Sequence, residues 1–287
     1  MNEFFKSISD GDEIRQGDII RMIHPSSTPT FTYGVVVTAD CDIAQRKAGE
    51  RYTWLQVLPM NEYIRGPWAD EQLRKLAEKH SKVACEYLNA QLRRLHSSLS
   101  PLTAKTLADW LRSSSPEAIL RAVTGEIPKP DLKALRDLSG LAKSLDVGEE
   151  TSTFCRLQES WSLFGIDPVK QREAVRGAFK SSGGFQDYFV VPELPRTNGY
   201  GFVVLLRSMS TIMAADLFLT EQDARIHDRP NAFHRLGRLH DGIRFAIAQR
   251  LAFLFSRIGL PAAFESACEA STDMMVDELF PATSKKA

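Results

Sequence analysis

No run of about eighteen consecutive apolar residues occurs in this 287-residue chain, so a membrane-spanning helix is not expected and no membrane partner follows. The opening Met-Asn-Glu-Phe-Phe-Lys-Ser-Ile-Ser-Asp has no cationic stretch leading into an apolar segment, which speaks against export. An excess of one charge is also missing. Lys and Arg together number 36 and Asp and Glu 36, leaving no global field to draw in polyanions from a distance. Cysteine is sparse: Cys41, Cys85, Cys155 and Cys268 stand far apart, with no CxxC and no Cys/His cluster at metal-ligand spacing. That pattern excludes a zinc ribbon or a disulfide framework and fits a reducing cytoplasm, the expected location. Glycine-rich phosphate loops (GxxxxGKS/T, GxGxxG) are absent, as are GxSxG and HExxH. The common nucleotide-binding, serine-hydrolase and zincin signatures go with them.

What is present is a globular composition, with 43% apolar residues, enough for a sizeable core. Short β-branched runs come first: Asp18 to Ile23, a Pro/Ser/Thr-rich turn over 24–30, then Tyr33 to Thr38 and Thr53 to Leu58. They predict a small sheet or barrel. From Trp68 the period becomes helical, with Leu73, Leu76, Val83, Cys85, Leu88, Leu92 and Leu95 on one stripe that continues to Leu99. Further helices are predicted over 102–111, 117–123, 132–145, 152–164 and 168–179, two of them entered at Ser100-Pro101 and Ser115-Pro116. Strand character returns at Tyr188 to Val191 and Gly201 to Leu206.

A single sheet needs several strands to be stable, so the economical reading is an α+β fold whose antiparallel sheet or barrel draws on residues 1–65 and 185–220. Residues 66–184 then form a large helical insertion, and 221–287 a C-terminal helical segment. The last long helix is predicted from Asp241 to Ile258, stopped by Gly259 and Pro261. Its inner side is expected to carry Ile243, Ile247, Leu251, Leu254, Phe255 and Ile258, with Arg244, Arg250 and Arg257 off it. The tail 281–287 is expected to fray.

Three constellations could carry chemistry. The first is Asp40-Cys41-Asp42, after an apolar strand. In a continuing strand the two carboxylates would share one side and the thiol would take the other. Neighbouring carboxylates disfavour a reactive thiolate. Two Asp could contribute to binding a hard cation such as Mg²⁺, though two ligands are short of a set. The ordinary alternative is a buried thiol with Asp side chains capping the turn. The second constellation is His227, His234 and His240 with Arg235 and Arg238. His234 and His240 lie six apart, which is not a metal-ligand pair on one helical face, and no metal site is expected. The third is the set Arg225, Arg229, Arg235, Arg238, Arg244, Arg250 and Arg257, either a local basic strip for nucleic acid or a salt-bridged surface. Arg21, Arg46, Arg235 and Arg238 are the binding candidates; Asp40, Cys41 and Asp42 are the catalytic ones.

Gly17-Asp18-Ile-Ile and Gly34-Val-Val-Val-Thr38 resemble the opening strands of the small SH3-like barrels of the MazF/PemK toxin family. The likeness covers some forty to sixty residues. Tyr33 and Gly34 stand where that family has an arginine, and the helical insertion has no counterpart there. The resemblance implies an SH3-like barrel and, through it, an endoribonuclease alternative in a toxin–antitoxin setting. The Asp-Cys-Asp-Ile segment together with Arg257-Ile-Gly-Leu-Pro261 is similar to a bacterial family to which no activity is attached.

The function expected from these observations is a non-catalytic binding component of a bacterial stress or phage-defence (antiviral) system, with a protein partner and no cofactor. One alternative is a MazF-like or other Mg²⁺-dependent nuclease, using Asp40 and Asp42 with Arg21 or Arg46 on phosphate. A second is a small-ligand sensor, with its ligand at the strand end 40–43.

Overall fold

The computed structural model describes residues 4–9, 11–23, 32–95, 100–125, 132–145, 152–179, 186–199, 201–227, 229, 232–256 and 262–279. The 24–30 turn, Leu99, Arg257, Ile258, Gly259, Pro261 and the 281–287 tail lie outside the described residues.

Among the described residues eight strands make one sheet: β1 (Phe5–Lys6), β2 (Asp18–Met22), β3 (Tyr33–Val36), β4 (Arg51–Pro59), β5 (Tyr188–Val191), β6 (Phe202–Met213), β7 (Leu217–Phe218) and β8 (Phe233–Leu239). Their order is β1-β8-β2-β3-β4-β6-β5, with β7 beside β8. Every pairing is antiparallel except β7 with β8, and the sheet curls into a half-barrel. The protein is thus mixed α+β, and its antiparallel sheet takes strands from both sides of the helical stretch.

Alternation along the strands explains why both faces are covered. Ile19 joins Tyr33, Val35, Leu55, Val57, Phe202 and Val204 in the larger core. Its neighbour Ile20 points the other way, to Val36, Trp54, Ile212, Leu217 and Phe233. Each fully buried isoleucine is worth about 1.5–3 kcal/mol relative to exposure. Gly34 sits opposite Ile20 because nothing larger fits. A Cβ there would lie 2.5 Å from Trp54 Cε3 and 3.0 Å from Ile20 Cγ1, so the indole can lie across the strand only over a glycine.

The helices are α1 (Asp40–Ala44), α2 (Met60–Tyr63), α3 (Ala69–Leu95), α4 (Ala104–Ser113), α5 (Pro116–Thr124), α6 (Leu132–Leu145), α7 (Thr153–Leu163), α8 (Pro168–Phe179), α9 (Glu221–Ile226), α10 (Asp241–Phe255) and α11 (Ala262–Leu279). Between α2 and α3, residues Ile64–Trp68 form a π-helical turn around Pro67, where the missing proline N–H and its ring disturb ordinary α pairing. Side-chain oxygens of Thr103, Ser115 and Ser152 cap α4, α5 and α7, satisfying amides that the first turn leaves open. Helices α3 to α6 have their own core, in which Leu88, Leu107, Ile119, Leu138 and Leu141 are buried and Leu92 packs against them. The Leu88–Leu92 stripe is therefore internal packing. No helix among the described residues is long and apolar enough to cross a membrane.

The C-terminal segment departs from expectation. Residues 221–287 were expected to be helical, yet they contain β8, inserted between β1 and β2. All seven residues of β8 are buried. Its arginines and histidine conceal the apolar period that marks an ordinary half-exposed strand, so the local pattern does not announce it. On α10, Arg244 is buried and Phe255 exposed, the reverse of the predicted sides.

Candidate functional site

The Asp-Cys-Asp segment does not continue β3. The chain turns at Ala39 and enters α1, with Asp40 and Asp42 in a first turn whose positive dipole end favours carboxylates. At 3.6 residues per turn, side chains two apart on a helix diverge by about 200°. The shared side that a continuing strand would give Asp40 and Asp42 is therefore not what the chain adopts. Asp40 turns inward: its Oδ1 accepts from the Gln16 amide at 2.8 Å, and its Oδ2 accepts from Arg244 Nη1 at 2.5 Å. Cys41 is exposed, not enclosed, with its Sγ 3.7 Å from Asp42 Oδ1. The Asp42 carbonyl accepts from the Ala48 amide, closing a compact turn that holds Arg46 in the left-handed region at φ 53°.

Arg244 spans this junction. Its Nε donates to Asp241 Oδ1 at 3.0 Å, and Nη1 also donates to the Gln16 carbonyl at 3.2 Å. Burial works against the Asp40 carboxylate, but the hydrogen bonds from Arg244 and Gln16, with the charges of Arg244 and Arg15, hold it below its ordinary range. Burial likewise works against the Arg244 cation and is outweighed by Asp40 and Asp241, so its pKa rises. Gly17 makes room for this side chain. Its φ is +87°, and a Cβ there would lie 2.8 Å from Arg244 Cβ.

A second carboxylate, Asp18, lies fully buried at the start of β2. Its Oδ2 is 2.9 Å from Arg235 Nη2 and its Oδ1 is 2.5 Å from Arg238 Nε. Arginines three apart on a regular strand face opposite sides, so a distortion is required. The β2–β8 register supplies it: Ile19 pairs with Gly237 and Ile20 with Arg235, which leaves Leu236 as the extra residue of a β-bulge. The bulge turns Arg235 and Arg238 to one carboxylate and Leu236 and Leu239 to one core. Both guanidiniums also donate to main-chain carbonyls, Arg235 to those of Asp12 and Glu13, and Arg238 to that of Glu13. The N-terminal segment is thereby tied across β8. Burial lowers the pKa of Arg235, against the opposing pull of Asp18.

The third assembly is built on His234, which is 3% exposed. Arg21 Nε donates to His234 Nε2 at 3.0 Å, and Arg21 Nη2 donates to Glu221 Oε2 at 2.6 Å. Arg225 holds the other Glu221 oxygen at 2.7 Å. Because Arg21 can only donate, His234 Nε2 must accept, which places the imidazole proton on Nδ1. Burial first, then the charge of Arg21, pushes His234 down to about 4. The Arg225 hydrogen bond lowers Glu221, and burial raises Tyr33, which also bonds Arg21.

The seven-arginine set is therefore not gathered into one solvent-facing strip. Arg225 pairs with Glu221, Arg229 with Asp216, Arg235 and Arg238 with Asp18, and Arg244 with Asp40 and Asp241. Arg250 lies over the Phe189 ring at 5.1 Å. Of the binding candidates, Arg21, Arg235 and Arg238 are engaged internally, and Arg46 is exposed. No group of three His, Cys, Asp or Glu side chains that could hold a metal occurs among the described residues. A cleft of about 200 Å³ opens far along the chain from α1, between α3 and α6, lined by His80, Tyr87, Lys133 and Asp137 with Val83 and Leu138.

Sequence reasoning missed Asp18 and Glu221 as pairing partners and did not foresee the apolar outer faces of α10 and α11. Phe245, Phe253 and Phe255 on α10 and Phe264, Met274 and Met275 on α11 are 41–73% exposed. The signal for Asp18 was available in retrospect: a carboxylate opening an apolar strand needs a cationic partner if the strand is central. Set against known protein families, curated proteins and solved structures, the chain matches none.

Proposed function

We propose that this protein is a non-catalytic interaction component that binds a protein partner through its C-terminal helices. The observation that carries this reading is the exposed apolar surface of α10 and α11, six large side chains standing in water on adjacent helices. Large apolar side chains left in water in such number ordinarily mark a contact site. The engagement of Asp18, Asp40, Arg235, Arg238 and Arg244 in internal pairs lends further support, since groups committed to holding β2, β8, α1 and α10 together are poorly placed to serve a substrate. A cytoplasmic location, read from the sparse cysteines, and a bacterial stress or phage-defence role, read from the balanced charge and the missing catalytic set, belong to this proposal, as does an SH3-type reading of the half-barrel through the sequence resemblance.

The rival is a Mg²⁺-dependent nuclease acting through the partly exposed Asp42 and the exposed Arg46. Incubating the full chain with total RNA and with DNA, with and without Mg²⁺, separates the two. No turnover is expected. Metal-dependent cleavage that disappears in Asp42→Asn would overturn the interaction reading.

A further inference from the structure

We propose that the cleft between α3 and α6 binds a free α-amino acid with an aliphatic side chain, its carboxylate met by Lys133 and its ammonium by Asp137. The inference stands apart from the interaction reading above, since it uses the helical core alone.

The cleft follows from small residues on facing helices. Ala84 on α3 and Ala134 on α6 are both buried and both line it, so a larger side chain at either position would fill it. Val83 and Leu138 complete the apolar lining. The volume of about 200 Å³ holds roughly seven waters at some 30 Å³ each. That is below the range that houses drug-sized ligands and suits a molecule of about ten non-hydrogen atoms.

The polar groups sort into two ends. His80 stacks on Phe164, with ring centroids 3.6 Å apart and planes 15° from parallel. Phe164 in turn lies over Gly140 of α6, where an added Cβ would come within 2.9 Å of its ring. His80 is thereby fixed at one end of the cleft, where the charge of Asp137 acts on it. Tyr87, seven residues on, lies about 10.5 Å further along α3. The lining takes in Lys133 and Ala134 and nothing of α6 past Leu138, so the two helices run antiparallel here and Tyr87 belongs to the Lys133 end.

Charge selects the ligand. Lys133 and Asp137 stand one turn apart on α6, about 5–6 Å between their Cβ atoms, and lysine before acid is the weaker order for a helical ion pair. Among the described residues Asp137 makes no hydrogen bond or ion pair. An anion alone would suit Lys133 and be repelled by Asp137, and a cation alone would meet the reverse. A zwitterion answers both charges. The lysine ammonium offers three donors to a carboxylate. Burial, then the charge of Lys79, lowers the pKa of His80, so its imidazole is neutral near pH 7 and does not oppose the bound ammonium. The aliphatic side chain of the ligand then covers Val83 and Leu138.

Methyl spectra of the full chain, titrated with L-leucine to about 20 mM, are the test. For a ligand of about nine non-hydrogen atoms the expected Kd is on the order of 0.1–1 mM. Shifts should fall on the Val83 and Leu138 methyls and spare Ile19 and Leu55 in the sheet. Glycine, which lacks the apolar body, should bind about 30-fold more weakly or worse. Isocaproate, which is leucine without its amine, and isoamylamine, which is leucine without its carboxylate, should each bind about tenfold more weakly.

Variants locate the contacts. Val83→Trp fills the cleft from a position that is 53% exposed, so it should abolish the shifts and leave the fold intact. Asp137→Asn and Lys133→Gln should each weaken leucine by about tenfold. Asp137→Asn should also erase the preference for leucine over isocaproate, and Lys133→Gln the preference over isoamylamine, neither of which a loss of folding would produce. Absence of shifts at Val83 and Leu138 at the highest concentration overturns the site, as do shifts that survive Val83→Trp. Equal binding of leucine and either single-charge analogue overturns the zwitterionic ligand. None of these outcomes touches α10 or α11, so failure here and failure of the interaction reading are separate results.

Discussion

Arg244 on α10 closes on the carboxylate of Asp40 on α1, 204 residues away in sequence. One of the acids that the sequence offers as a candidate for chemistry is thus the acid that fastens α10 to the strand-end turn. Asp42, two residues further on, carries no such duty.

Replacing Asp40 with Asn should cost about 1 kcal/mol, since the pair is partly exposed and screened by solvent. A double-mutant cycle with Arg244→Gln, read by urea unfolding, should show coupling of that order. Because the folded-state pKa of Asp40 is lowered, its contribution is present above the unfolded carboxylate range and lost as the pH falls through the folded value. Independent, additive effects of the two substitutions would show that the contact is not made in solution.

Asp18→Asn should be far more damaging. It leaves the Arg235 and Arg238 guanidiniums buried with no countercharge, a loss of about 3–5 kcal/mol. The expected result is a large drop in urea midpoint with an unchanged m-value. Hydrogen exchange should show the 11–18 segment opening together with β8.

The His234 imidazole predicts an acid limb in stability. Its folded pKa of about 4 lies below the ordinary 6.5, so between those values the unfolded chain binds more protons than the folded one. Stability is then full above about pH 6.5 and declines as the pH falls toward 4. The total effect is on the order of 3 kcal/mol. His234→Gln should flatten this slope; a wild-type slope retained in the variant would assign it to other groups.

Gly17→Ala should destabilise by about 1–3 kcal/mol, combining a left-handed backbone with a collision against Arg244. Ala at Gly34 should be at least as costly, because Trp54 is held on its other sides by the core. Thermal unfolding of the two variants checks both.

Thiol titration should divide the cysteines by burial. Cys41 and Cys155 are exposed and Cys85 is buried, with burial raising the Cys85 thiol pKa. Cys41 and Cys155 should react with an aromatic disulfide reagent in the native state, and Cys85 only on unfolding. Slow reaction at Cys41 would contradict its solvent-facing place on α1.

Much of the architecture can be read without coordinates, because its causes are local. The 3.6-residue apolar period marks α3 to α8, the Ser115-Pro116 entry marks the start of α5, and β-branched runs mark β2 to β6. Each depends on residues within one or two turns of each other. The bulge at Leu236, the shared carboxylate of Asp18, the turn into α1 and the capture of Asp40 by Arg244 belong to a different class. They depend on which strand lies beside which and on a one-residue shift in register, and they join side chains more than 200 positions apart. Composition and period carry no term for such closures, so the sequence by itself determined most of the elements but not β8, α1 or which side of α10 is buried. Which charged groups became internal clasps, and which apolar faces stayed open, was decided only when the chain closed on itself.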